Sequence, residues 1–105
     1  MNAEPLTPVI FRLFEGNVLA LLPTLPADAF AHCTSYQHIG QHGAANPHYV
    51  ISHSRPATPD EYADLLNEMT GLGYNLQVVE RLRRAHFEDR LTALRGLTAP
   101  VSAQG

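Results

Sequence analysis

The first third of the chain alternates short apolar runs with turn-forming residues, a pattern that predicts β-strands. Residues 9–14 are rich in β-branched and aromatic side chains, which favour extended structure. Residues 15–17 contain glycine and asparagine, which tolerate the positive φ of a tight reversal. Residues 18–22 are the predicted return strand, and a proline ends it because proline cannot donate to a strand ladder. We therefore expect an N-terminal β-hairpin.

Two more strands are predicted on either side of a polar segment. Residues 29–36 form the third predicted strand, whose period of two places Tyr36 on one face and Cys33 on the other. Residues 37–47 contain glycines, alanines and a proline and predict a loop or a single helical turn. Residues 48–53 are apolar and β-branched enough to predict a fourth strand.

Apolar residues at helical spacing, preceded by start signals, predict a helix over residues 58–71. Thr58 is the expected N-cap, Pro59 is the first helical residue, and Glu61 follows the cap by three positions to complete a capping box. The predicted buried face consists of Tyr62, Leu65, Leu66 and Met69. The opposite, polar face carries Asp64, Asn67 and Glu68.

The remaining elements complete a predicted α+β domain. Residues 74–81 predict a fifth strand, and residues 84–95 predict a second helix. The order β-β-β-loop-β-α-β-α, with short connections, favours a four- to five-stranded, mainly antiparallel sheet with both helices on one face. We expect a single domain over residues 8–96, flanked by loose tails at residues 1–7 and 97–105.

Composition and charge restrict the class of protein. The 105 residues are 45% hydrophobic and 16% charged, which is typical of one globular domain. A net charge of -3 gives no general attraction to nucleic acid or to anionic membranes. One cysteine cannot form an internal disulfide, the N-terminus lacks a signal-peptide pattern, and no apolar run approaches the ~20 residues of a membrane span. We expect a cytoplasmic protein.

The histidines are the main chemical signal in the sequence. Five of the six histidines and the only cysteine lie between His32 and His53. Imidazole acts as a metal ligand, a proton carrier or a hydrogen-bonding group. His38 and His42 are four residues apart, so on a helical turn they would share a divalent ion such as zinc. Further candidate ligands are His32, Cys33, His48 and His53. The spacing matches no established zinc motif, and Gly40 weakens the required helix.

Three segments of the chain resemble a family of short bacterial proteins associated with phages, plasmids and conjugative elements. These segments are residues 35–43, 55–62 and 73–79, and the first is the most distinctive. The resemblance covers roughly residues 8–90. The family has no assigned activity, so the resemblance implies a bacterial, mobile-element setting and supplies no catalytic residue.

Other chemical interpretations compete with a metal site. Nucleophile and base types occur close together at Cys33, Ser35, Tyr36, His38 and His42, but no nucleophile elbow is present, and a free cysteine is usually a buried apolar residue. The glycine-flanked residues 40–45, with Arg55, would suit a small anion. Acidic residues are interleaved with the basic ones near the C-terminus, and this favours a solvated surface over nucleic-acid binding.

The preferred hypothesis is a non-catalytic binding or interaction module that uses the loop of residues 36–48. Its candidate binding residues are Tyr36, Gln37, His38, Gln41, His42 and Arg55. The expected partner is a protein or a small anionic ligand, and an unpaired sheet edge would also permit a homodimer. The alternative is a metal-binding protein or metal-dependent hydrolase centred on His38 and His42.

Overall fold

The computed structural model describes residues 5–98, and these form a six-stranded sheet with three helices. In chain order the elements are β1 (Thr7–Phe14), β2 (Asn17–Pro26), β3 (Cys33–Gln37), β4 (Gln41–Ala45), α1 (Pro47–Ser52), β5 (Arg55–Pro56), α2 (Pro59–Gly71), β6 (Leu76–Val78) and α3 (Arg84–Thr98). The predicted α+β class and the mainly antiparallel sheet are confirmed.

Strand β1 lies inside the sheet and is paired along both of its edges. The strand order is β4-β3-β2-β1-β5, and all of these neighbours are antiparallel. The second edge of β1 is shared, because β5 pairs with Arg12 and Leu13 while β6 runs parallel to the first residues of β1. The fifth predicted strand, residues 74–81, is therefore reduced to the three residues of β6.

The turn between β1 and β2 consists of two residues. Glu15 and Gly16 have φ values of +52° and +83°, and Phe14 pairs directly with Asn17. Positive φ at both central positions is the conformation that matches the twist of a two-residue hairpin. Asn17, which the sequence places in the turn, is instead the first residue of β2.

The segment of residues 37–53 differs from its prediction. Residues 48–53 were predicted as a strand, but most of them lie in helix α1, and the predicted loop contains strand β4. The side chain of Asn46 accepts hydrogen bonds from the amides of His48 and Tyr49, and a proline follows it at the helix start. This cap satisfies the free amides of the first turn, and helix formation prevails over the strand propensity of the apolar residues.

The core lies on both faces of the sheet. On one face, Leu65 and Met69 of α2 pack against a cluster that includes Tyr36. On the other face, α1 contributes Val50 to a cluster that includes Cys33. The predicted alternation of Tyr36 and Cys33 is confirmed. The helix arrangement differs from the prediction of one covered face, since the second face is also covered by a helix.

Two predictions about the chain limits differ slightly from the structure. Strand β1 begins at Thr7 and helix α3 continues to Thr98, so regular structure extends beyond the predicted domain of residues 8–96. The rest of the predicted tails, residues 1–4 and 99–105, lies outside the described part of the chain. Between residues 5 and 98, no helix has the length and apolar character needed to cross a membrane.

The predicted capping box at the start of α2 is present and gives a first testable effect. Thr58 Oγ1 accepts from the Glu61 amide at 3.3 Å, and Glu61 Oε1 accepts from the Thr58 amide at 2.8 Å. We expect Thr58→Ala to lower the free energy of unfolding by about 1 kcal/mol, measured by urea denaturation. Thr92→Ala, at an exposed position inside α3, is the control and should cause no loss. Equal effects at the two sites would contradict the capping role.

Candidate functional site

The turn between β3 and β4 has an unfavourable backbone conformation. Ile39 and Gly40 have φ values of +66° and +67°. A positive φ is easy for glycine but costly for a β-branched residue such as isoleucine. Ile39 is 75% exposed, so burial of this residue does not compensate for the strain. Contacts from elsewhere in the protein must hold the turn.

Glu68 of α2 supplies these contacts. Its Oε2 accepts hydrogen bonds from the amides of Ile39 at 3.0 Å and Gly40 at 3.4 Å. The same oxygen accepts a hydrogen bond from the Tyr36 hydroxyl, and Oε1 of Glu68 lies within hydrogen-bond distance of His38 Nδ1. The Gly40 amide also donates to the Tyr36 hydroxyl oxygen at 2.9 Å. One carboxylate therefore fixes the strained turn, and we call this group of five residues the Glu68 latch.

The contacts within the Glu68 latch shift the pKa values of Glu68 and Tyr36. Hydrogen bonds from Tyr36, then from His38, lower the pKa of Glu68 to about 2. The hydrogen bond to Glu68 is also the main cause that raises the pKa of Tyr36. Near neutral pH, Glu68 is consequently an ionised acceptor and Tyr36 a neutral donor. A carboxyl with this pKa has no proton to give as a general acid near neutrality.

His42 is held by different partners from those of His38. His42 Nε2 lies 2.9 Å from the Tyr74 hydroxyl, and the His42 ring lies edge-on to Tyr36 with 4.7 Å between ring centroids. The helical turn that would have aligned His38 and His42 is not formed, because His42 lies in β4. That part of the metal-site hypothesis is wrong.

The other candidate metal ligands occupy separate places. His32 Nδ1 lies 2.7 Å from an oxygen of Asp28, while His48 is exposed on α1. Cys33 is buried, and its burial raises the pKa of its thiol to about 11, far from the thiolate form that a nucleophile or metal ligand needs. Among residues 5–98, no three His, Cys, Asp or Glu side chains are placed to hold one ion. Metal binding stays a prediction.

The candidate binding residues are only partly brought together. Gln37, His38 and Gln41 line an open groove of about 530 Å³ beside the first turns of α2. Tyr36 is buried beneath them. Arg55 is engaged elsewhere, because its two terminal nitrogens lie 2.8 and 2.6 Å from the two carboxylate oxygens of Glu61. Arg55 therefore does not join residues 40–45 in the anion site that the sequence suggested.

Strand β4 forms one end of the sheet, and no strand among the described residues pairs with its outer edge. It pairs with β3 without a register shift, from Gln37 opposite Gln41 to Cys33 opposite Ala45. Its first four residues are exposed, and its sequence contains no proline and no Asp, Glu, Lys or Arg. At the opposite end of the sheet, β5 has only two residues, an arginine and a proline, and β6, which shares that edge of β1, has only three. The two ends of the sheet thus differ in their protection against further strand pairing.

The sequence did not identify two residues of this site. Glu68 occupies the polar face of α2, where a carboxylate is usually solvated, and no local pattern connects it with a turn about thirty residues earlier in the chain. Tyr74, the partner of His42, lies in a predicted strand. A sequence signal was present only in the Ile39-Gly40 pair, since glycine often marks a turn with positive φ.

Comparison of the chain with protein-family models, with curated proteins and with solved structures finds no match. The resemblance carried by residues 35–43, 55–62 and 73–79 therefore stays a prediction.

Proposed function

We propose that this protein is a non-catalytic interaction module whose strand β4 pairs with a strand of a partner. The observation that carries the proposal is the unprotected outer edge of β4 at residues Gln41–Ala45. An edge strand presents unpaired N–H and C=O groups, which are a template for another strand. Main-chain hydrogen bonds then supply affinity without any catalytic chemistry.

The contrast between the two ends of the sheet supports this use of β4. Proteins protect sheet edges with proline, with charged side chains, with bulges or by shortening the strand. Arg55 and Pro56 provide such protection at β5, and β6 at the same end is only three residues long. In β4, the small residues Gly43, Ala44 and Ala45 leave the backbone open to an approaching chain. The single buried cysteine suits a reducing compartment, and we place the module in the cytoplasm.

The Glu68 latch makes this edge rigid before any partner arrives. Glu68 connects the turn at Ile39 and Gly40 to helix α2, which is itself anchored in the core by Leu65 and Met69. A receptor strand that is already ordered loses less conformational entropy on binding. The latch therefore contributes to binding by holding β4 in place rather than by contacting the partner.

A second copy of this chain is the partner that β4 suits best. In an antiparallel pair centred on Gly43, Gln41 lies opposite Ala45 of the other copy and His42 lies opposite Ala44. Each larger side chain then faces a small one, and the strand contains no Asp, Glu, Lys or Arg that would meet its like in the other copy. An antiparallel self-pairing of this kind closes with twofold symmetry.

The test introduces a charge on this edge. We expect Ala44→Lys to raise the dissociation constant of the dimer by about tenfold or more, because two added charges face the same small pairing surface. Sedimentation equilibrium over a range of protein concentrations measures this constant. Gln77→Lys is the matched control, since it adds the same charge at an exposed position in β6, away from β4.

Two outcomes would contradict the proposal. One is a wild-type protein that remains monomeric at high concentration and also captures no peptide with the sequence of residues 41–45. The other is a dimer whose dissociation constant is the same for Ala44→Lys, Gln77→Lys and the wild type. Circular dichroism of each variant shows whether the fold is retained.

A further inference from the structure

A second groove, on the other side of the molecule from α2, has an unusual charge. It encloses about 590 Å³ between α1 and the first turns of α3. Three arginines line it, Arg83, Arg84 and Arg90, together with His48. The one carboxylate among its lining residues is Glu88, which lies 3.3 Å from Arg84. Positive charge is therefore concentrated here in a chain whose net charge is -3.

Arg90 is the most informative residue of the groove. It is only 3% exposed, and it donates from Nε to the Ala31 carbonyl at 2.8 Å and from Nη1 to the Pro23 carbonyl at 2.7 Å. Within residues 5–98 it has no carboxylate at salt-bridge distance, and its Nη2 makes no hydrogen bond. A buried guanidinium stays charged, and buried charges are normally paired. Arg90 thus lines the groove with a charge that has no counter-ion among the described residues.

Arg83 adds a second available cation. Its side chain makes no hydrogen bond or ion pair with any residue that the structure describes, whereas its backbone amide donates to His86 Nδ1 at 3.0 Å. Burial is the main cause that lowers the pKa of His86, and the charges of Arg83 and Arg90 lower it further, against an opposing effect of Asp89. The neutral imidazole of His86 fixes the backbone at Arg83. The guanidinium of Arg83 remains available to a ligand.

An aromatic surface lies beside these cations. Phe87 is 42% exposed, and the Arg90 guanidinium carbon lies 5.3 Å from the centre of its ring. This distance is within the range of a cation–π contact, which holds the ring at the groove wall. Leu91 continues the apolar part of the lining. A flat apolar group would bury surface against Phe87 while an attached anion reached the arginines.

We propose that this groove binds a small aromatic phosphate of the size of a nucleoside monophosphate. The phosphate group pairs with Arg83 and Nη2 of Arg90, and the flat ring packs on Phe87. Arg84 also binds the phosphate group. Its exposed ion pair with Glu88 contributes little energy, so the phosphate can replace the Glu88 carboxylate as its partner. The groove volume lies within the usual range for small-molecule sites. This inference is independent of pairing at β4.

The test is calorimetric titration of the full chain with adenosine 5′-monophosphate at low salt. Inorganic phosphate and adenosine are titrated separately. Inorganic phosphate carries only the anion that the arginines would bind, and adenosine carries only the flat ring that would pack on Phe87. We expect saturable binding of one monophosphate per chain, about tenfold or more tighter than either half alone. Binding should weaken as salt is added, because the contacts are partly electrostatic.

Variants at two exposed arginines locate the site. We expect Arg83→Gln to weaken monophosphate binding by about tenfold, while the fold is kept because the substitution removes no hydrogen bond or ion pair within residues 5–98. Arg81→Gln removes the same charge two residues away, outside the groove lining, and should leave binding within about twofold. We expect Phe87→Leu to reduce the preference for the monophosphate over inorganic phosphate.

Three results would overturn the inference. The first is no saturable binding of the monophosphate at millimolar concentration. The second is equal binding by Arg83→Gln and Arg81→Gln, which would place the ligand elsewhere or make the attraction nonspecific. The third is binding of inorganic phosphate as tightly as the monophosphate, with no effect of Phe87→Leu, which would remove the aromatic part of the site.

Discussion

Replacement of Met69 by alanine is expected to lower the free energy of unfolding by about 2–5 kcal/mol. Met69 is fully buried in the interface between α2 and the sheet, where its cluster includes Val9, Phe11 and Tyr36. Truncation removes apolar contacts and leaves a cavity that the surrounding strands fill only in part. Since small domains have a total stability of about 5–15 kcal/mol, this loss is a large fraction of the whole.

The matched control for Met69→Ala is Leu72→Ala, one helical turn later in the chain. Leu72 is 57% exposed, so its truncation should lower the free energy of unfolding by less than about 1 kcal/mol. Urea denaturation of both variants, followed by circular dichroism, measures the difference. Equal losses for the two variants would mean that Met69 does not anchor α2 to the sheet.

Elements that depend on local pattern could be predicted from the sequence. The hairpin of β1 and β2 follows from apolar strands on either side of Glu15 and Gly16, and α2 follows from the capping box at Thr58. Leu65 and Met69 are buried as their helical spacing predicts, and Leu66 is partly buried against the same cluster. In these segments the turn residues, the capping box and the spacing of apolar residues all predict the same element.

Elements with conflicting local signals were predicted incorrectly. In α1, Asn46 and Pro47 mark a helix start, but Val50 and Ile51 have strand propensity, and the cap decided the outcome. In β4, Gly43 and Ala44 have low strand propensity, yet pairing with β3 forms a strand. Both results show tertiary and capping interactions prevailing over intrinsic preference.

The two candidate sites depend on contacts between distant parts of the chain. Glu68 reaches a turn that precedes it by 29 residues at Ile39, and Arg90 contacts a carbonyl 67 residues earlier at Pro23. No periodicity or spacing rule identifies such pairs in one sequence. The sequence predicted a binding role for residues 36–48, which stays a prediction, and it did not identify Glu68, the residue on the polar face of α2 that holds the turn in this segment.

Substitution of Glu68 by glutamine is expected to loosen the β3–β4 turn and to change how stability depends on pH. Glutamine keeps the shape of the side chain but loses the charge that favours donation by Tyr36, Ile39 and Gly40. Amide hydrogen exchange at Ile39 and Gly40 should therefore become faster in Glu68→Gln, while exchange in β1 stays slow. A loosened β4 should also weaken the proposed dimer.

The pH dependence follows from the pKa of Glu68 in the folded protein. This pKa is about 2, compared with an ordinary value of 4.5, so the unfolded chain binds more protons as the pH falls. The stabilisation is complete above about pH 4.5 and is lost as the pH decreases towards 2. Glu61, whose pKa is also lowered to about 2 by Arg55 and the Thr58 amide, contributes in the same range. The wild type should therefore lose stability steeply in acid.

Urea denaturation at several pH values between 2 and 7 tests this assignment. Glu68→Gln should show a shallower loss of stability in acid than the wild type, with a remaining slope from Glu61. Glu88→Gln is the control, because Glu88 is an exposed carboxylate whose one ion pair within residues 5–98 is with the exposed Arg84, and it should keep the wild-type slope. If Glu68→Gln kept the wild-type slope as well, the carboxylate would not hold the turn. The order of β4 would then have to come from its pairing with β3 alone.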